Sequence, residues 1–215
     1  MRKIRSIWLP LALMLAFGGH GLASPQNQPR IFVLHAYSQD YAWTQGQHES
    51  FVATLDADLG ESVRYTEYLD TKRRRYTHDY ASFMAAHLKT KYAGFVPDAI
   101  YATDDNALQF LLDHGEEIFP DTPVFFSGVN NLSVLDRLDG RPFTGVFEHK
   151  EVGPNLDLID RLGRGERNVL VVGDDSSTFQ AIVPEVQEEL SSRGHRSVRF
   201  VTERRLPDLL GTLRN

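Results

Sequence analysis

The sequence predicts an α/β fold of parallel sheets flanked by helices, divided into two lobes of which the second is incomplete. Three observations predict it. Four short apolar runs each end in a polar turn, at Ile31–Ser38, Tyr65–Lys72, Ala99–Asn106 and Val124–Asn131. Each run is β-branched or aromatic and is followed by a stretch with helical spacing, the signature of β-α units that feed a parallel sheet. The alternation restarts after Phe147, then stops after two more strands, which is less than a lobe.

The elements follow in order. Residues 1–23 read as an export signal: Arg2, Lys3 and Arg5 precede an apolar stretch from Ile7 to Phe17, and Gly21-Leu22-Ala23 supplies small residues for cleavage. An uncleaved N-terminal anchor is the other reading. Residues 24–30, with two prolines, form a polar linker. A first lobe over 31–148 then takes strands at 30–36, 62–69, 99–103, 122–127 and 143–147. Its helices lie at about 43–59, with Val52, Leu55 and Leu59 on one face, at 76–92 and at 105–115. In the second of these, Tyr80, Phe83, Met84, His87 and Leu88 fall on the side expected to be buried. His87 has Phe83 and Lys91 at i±4, neither of which completes a metal site there, so it reads as a partly buried helix residue. A partial second lobe over 149–215 takes helices at 152–162, 176–193 and from Leu206, with strands at 168–172 and 197–201. Its helix 176–193 is strongly amphipathic, with Phe179, Ile182, Val183, Val186 and Leu190 on one stripe.

Composition narrows the function classes. The formal net charge is −6, and −9 without residues 1–23, which does not suit nucleic acid, whose phosphates favour basic surfaces. The one basic run, Lys72-Arg73-Arg74-Arg75, reads as a solvated face leading into the next helix. With no cysteine in the chain, stability must come from packing and not from disulfides. There is no Gly-x-Ser-x-Gly elbow, no His-Glu-x-x-His and no phosphate loop. Asp70 with Asp104 could serve as a carboxylate pair, but no nucleophile with its base is recognisable, so no catalytic residue, metal or cofactor is assigned.

In parallel sheets, ligands bind outside the carboxyl ends of the strands, where these polar turns sit. The turn from His35 to Thr44 gathers aromatic walls and polar groups suited to a small-molecule pocket. There Tyr37 and Ser38 read as pocket residues, while Trp43 is either a pocket wall or a staple at its helix start. Asp70 and Lys72 close strand two, as an ion pair or as ligand contacts. Asp104 and Asp105 open a helix, so one is expected to cap it and the other to face the crevice. Ser127 and Asn130 flank an exposed backbone platform at Gly128, and Asn131 is expected to cap a short helix.

The set His35-Ala-Tyr37 with Trp43, Glu67 to Arg73, Asp104-Asp-Asn-Ala107 and Gly128-Val-Asn-Asn131 resembles the type I periplasmic-binding-protein superfamily. The likeness is to its substrate-binding-like domains, which occur in ABC transport and as sensor input modules of histidine kinases and diguanylate cyclases. Phe143-Thr-Gly-Val146, followed by Leu156, Leu158 and Ile159, is similar to the crossing into the second lobe, and Val171 to Ser176 to that lobe's first ligand-side turn. Val169 to Asp175 also looks like the opening of a response-regulator receiver, but the export signal and the lack of a later aspartate and lysine speak against it. The resemblance implies a periplasmic module that binds a small polar ligand between its lobes and signals by closing. In it Tyr37 and Trp43 form walls, Asp70, Asp104 and Asp105 recognise donors, and Ser127, Asn130 and Asp174 complete the polar ring. It allows an inner-membrane sensor or transporter as partner, and a homodimer. On this reading Asp105→Ala and Tyr37→Ala weaken binding and leave the ligand-free melting point little changed.

Overall fold

The computed structural model describes residues 28–162, 168–174, 176–193, 197–203 and 205–214. The export segment, residues 24–27 of the linker and Asp175 lie outside these. A five-stranded, wholly parallel sheet has the order β2-β1-β3-β4-β5, with β1 Arg30–His35, β2 Val63–Tyr68, β3 Ala99–Thr103, β4 Val124–Val129 and β5 Phe143–Phe147. A second sheet pairs β6 Asn168–Val172 with β7 Ser197–Val201, also in parallel.

The burial of each strand follows its sequence. β1 is a near-continuous apolar run, as a strand covered on both faces should be, and Phe32 to His35 are completely buried. β2 mixes charged and apolar residues and lies at the sheet edge, half-exposed. At β5, Gly145 is required by close approach: a Cβ there would come within 2.2 Å of the Phe126 carbonyl oxygen.

The helices are α1 Ala42–Leu59, α2 His78–Lys91, α3 Asp104–Ile118, the short α4 Leu135–Leu138, α5 Val152–Leu162, α6 Ser177–Ser192 and α7 Leu206–Arg214. α3 is the best buried, placing Ala107, Leu108, Phe110, Leu111 and Leu112 in the core, and Phe32, Tyr92 and Phe119 form an aromatic cluster beside it. α2 begins at Thr77, whose hydroxyl accepts the Tyr80 N–H, but its buried stripe is Ala81, Ala85 and Leu88. Phe83 is 66% exposed and His87 is exposed too, against the expectation for that face. The alanines let α2 approach closely, so the bulkier neighbours turn outward. On α1 only Thr44 is fully buried; Val52 and Leu55 are half-buried and Leu59 is exposed. The stripe on α6 is half-buried apart from the fully buried Leu190.

Candidate functional site

The strand order reverses at β1: the chain moves outward to β2, then returns past β1 to β3. The carboxyl ends of β1 and β3 therefore flank a topological switch point, the place where open α/β sheets bind ligands. Here Ala36 N–H donates to the Thr103 carbonyl at 3.2 Å and His35 Nδ1 meets Thr103 Oγ1 at 2.9 Å. The other His35 nitrogen meets His48 Nδ1 at 3.0 Å. Burial, helped by His48, lowers the His35 pKa to about 4, so the ring stays neutral and knits the strand ends together.

A cavity of about 850 Å³ opens at this point, between the carboxyl ends of the first sheet and the start of α6. Tyr37, Thr71, Lys72, Arg73, Arg75, Tyr76 and Asn106 line it from the side of the five-stranded sheet, and Gly173, Asp174, Ser176, Thr178, Gln180 and Glu203 from the side of the two-stranded one. Side-chain contacts cross it. Lys72 Nζ donates to Asp174 Oδ2 at 3.1 Å, and the Tyr37 and Thr178 hydroxyls meet at 3.1 Å. Lys72 also lies over the Tyr37 ring, 4.8 Å from its centroid. Burial, followed by the charge of Asp104, pushes the Tyr37 hydroxyl well above its ordinary range, so it stays a neutral hydrogen-bonding group. Burial alone would raise the Asp174 carboxyl, but bonds from the Ser176 hydroxyl and N–H and from Lys72 outweigh it and hold it low. Ser176 caps α6 through the Phe179 N–H at 3.2 Å.

Of the residues read from sequence as ligand contacts, this cavity gathers Tyr37, Lys72 and Asp174. The others do different work. Asp104 and Asp105, with Asn106, fan out from the end of β3. Asp104 has φ +68°, a left-handed conformation uncommon for a residue with a side chain. It is 3% exposed, and its Oδ1 accepts the Trp43 indole N–H at 3.0 Å. Burial pushes its carboxyl up to about 7. Asp105 Oδ1 accepts the backbone N–H groups of both Asn130 and Asn131, each at 2.8 Å, and so pins the turn after β4. Neither aspartate caps α3, because each is committed to another element. Asn106 donates to Thr71 Oγ1 at 2.9 Å and lines the cavity.

Trp43 is 46% exposed and sits with Gln47, Phe51 and Tyr101 on a groove beside α1, away from the cleft. Ser127 is turned to that side as well, its hydroxyl 2.6 Å from Tyr101 Oη. Gly128 has φ +71°, a left-handed conformation that favours glycine, and a Cβ there would also crowd Gln47 Nε2 at 3.0 Å. Asn130 folds back on the Gly128 carbonyl, and Asn131 caps the short 3-10 turn Leu132–Val134 by accepting the Ser133 N–H. Ser38 is buried beside the cleft and not on its lining. Asp70 pairs with Arg73, not with Lys72, and Arg73 bridges to Asp40 at 2.5 Å. The basic run is exposed, as a solvated face should be, and Lys72, Arg73 and Arg75 within it also line the cleft.

Thr71, Arg75, Tyr76, Thr178 and Glu203 line the cleft without having been read as contacts. Thr71 and Asn106 could have been found, because both lie inside the polar turns that mark strand ends. Thr178 offered no signal beyond its place in the first turn of a helix.

No protein-family model matches the chain, and no curated protein matches it in sequence. Its fold matches solved structures. A conserved domain protein from Vibrio cholerae aligns at TM-score 0.62 and 14% identity, covering 86% of this chain and 60% of that one. An ABC domain in complex with L-Trp from Streptococcus pneumonia aligns at 0.60 and 15%, covering 86% and 61%. A periplasmic binding protein from Burkholderia mallei aligns at 0.59 and 14%, covering 87% and 50%. The fold is therefore that of the type I periplasmic binding proteins, and the chain spans about half to three-fifths of the length of these structures.

Proposed function

We propose that this chain is a small-molecule-binding module whose ligand lies in the cleft between a first lobe, residues 31–148, and a second, residues 149–215. The observation that carries the proposal is the 850 Å³ cavity at the switch point of the five-stranded sheet, closed from the far side by the start of α6. Two contacts, Lys72 to Asp174 and Tyr37 to Thr178, already join its walls. A ligand that touches both walls favours the closed arrangement by its differential affinity, and closure is the output. The role in this proposal is binding and not catalysis: the hydroxyl–carboxylate pair that lines the cleft, Ser176 with Asp174, is committed to capping α6 and to holding Lys72.

In this proposal the module acts in the periplasm as the input part of a membrane-bound histidine kinase or diguanylate cyclase, delivered there by the signal in residues 1–23. A second reading, the solute-binding subunit of an ABC importer, is favoured by the likeness in fold to an ABC domain that holds L-Trp. The gene separates the two: a transmembrane helix and output domain encoded after Asn215 supports the sensor, and their absence the importer. Binding itself is tested by a thermal-shift screen of amino acids, purines, polyamines, sugars and organic acids, with X-ray scattering on each hit. A raised melting point with a smaller radius of gyration is expected. A screen with no hit, or hits that leave the radius unchanged, contradicts the proposal.

A further inference from the structure

Resting on the cleft as a binding site, we infer that its ligand is a small organic anion, its carboxylate held by Lys72 and Arg75. Asp104 and Asp105, the acids that would recognise a cation, are committed to Trp43 and to the turn after β4, and neither lines the cleft. The cleft wall instead carries Lys72, Arg73 and Arg75, facing Asp174 and Glu203. This does not follow from composition, because the chain as a whole has a formal net charge of −6.

The charges on that wall are not equally available. Arg73 is held by Asp40 and Asp70. Asp174 has its charge divided among Lys72 and the Ser176 N–H and hydroxyl. Lys72 spends one donor on Asp174 and keeps others, since an ammonium has three. Arg75 lines the cavity and has no hydrogen bond or ion pair to any other described residue, which leaves its guanidinium fork available to a ligand there. Such a fork matches a carboxylate with two parallel N–H donors. The opposite wall is the first turn of the sixteen-residue α6, the positive end of its dipole. Tyr37, buried and fixed through Thr178, lies beneath the Lys72 ammonium and holds it between the two walls.

Three probes of one shape and different charge test this: benzoate, benzamide and benzylamine, titrated calorimetrically into the protein at neutral pH. Benzoate is expected to bind most tightly. Arg75→Gln, which touches no interlobe contact, should weaken benzoate roughly tenfold or more, the scale of a lost charge-assisted pair, and weaken benzamide by a smaller factor. Lys72→Met should do the same to benzoate, and circular dichroism checks that both variants fold. Benzamide or benzylamine binding as tightly as benzoate overturns the inference, as does benzoate affinity that survives Arg75→Gln. Failure of benzoate to bind overturns it too. In that case the cleft reading stands if another compound binds and loses affinity in Tyr37→Ala, and falls if no binder responds to Tyr37→Ala.

Discussion

Asp105→Ala should destabilise the protein even with no ligand present, although a residue that merely waited for a ligand could be removed at no cost to the fold. In the native state one carboxylate oxygen accepts two backbone N–H groups, from Asn130 and Asn131, both at 2.8 Å. A hydrogen bond to a charged group contributes about 1.5–3 kcal/mol. The lower value applies here because Asp105 Oδ2 is buried without a partner, and removing it relieves some desolvation. Two such bonds give about 3 kcal/mol, and for a chain of this size each kcal/mol lowers the melting point by ~2–4 °C. The expected fall is therefore about 6–12 °C, followed by far-ultraviolet circular dichroism. Asp105→Asn keeps an acceptor oxygen but not the charge, and should lose about half as much. An alanine variant that melts within about 1 °C of the parent, or an asparagine variant less stable than the alanine one, would refute the pinning role.

Asp104 gives a prediction in pH. Its folded pKa of about 7 stands above the unfolded value near 3.9, so from about pH 4 to 7 the folded state holds a proton that the unfolded state has released. The Asp104 contribution to stability must then fall as pH rises through that window, opposite in sign to that of His35, whose folded pKa of about 4 lies below its ordinary 6.5; Asp104→Asn, which can still accept the Trp43 N–H, should lack the Asp104 contribution alone and exceed the parent at pH 8 by on the order of 4 kcal/mol at most. Parallel urea midpoints for the two proteins from pH 4 to 8 would contradict this. The Lys72–Asp174 bridge is partly exposed, so a double-mutant cycle with Lys72→Met and Asp174→Asn should give a coupling below about 1 kcal/mol; a larger value would make the bridge a main support of the fold. In hydrogen exchange, amides at 31–35 and 99–103 should be protected well beyond those at 168–172 and 197–201. β1 is buried in a five-stranded sheet, whereas the two-stranded one leaves Leu170 41% and Val172 48% exposed. Equal protection in both sheets would overturn that ranking.

Much of the fold was legible in the sequence because its signals are local. The strands of the first sheet are short apolar runs closed by polar turns, and each lies within a few residues of where periodicity places it. The faces of helices were read less well. On α2 the bulky Phe83 and His87 suggested the buried side, but close packing of Ala81 and Ala85 against the core decides it. Small residues carry little weight in a hydrophobic pattern, yet they permit the nearest approach.

The site was legible only as a region. That strand ends would gather polar groups follows from topology, and Tyr37, Lys72 and Asp174 do meet there. Which carboxylate faces the cleft depends on contacts between segments far apart in the chain. Asp105 turns to residues 25 and 26 positions later, and Asp104 to Trp43, 61 positions earlier. Arg75 was hidden in a run of basic residues because nothing local distinguishes a solvated arginine from one that lines a cavity.

The central claim, that a small molecule binds between the lobes and draws them together, can be measured in one experiment on the cysteine-free chain. Lys89→Cys on α2 and Gln187→Cys on α6 place exposed labelling sites on the two lobes, and paired spin labels report the distance between them. A compound that binds by calorimetry should shorten and narrow that distribution, and Tyr37→Ala should abolish the change. A distribution unmoved by a compound that demonstrably binds would contradict the account.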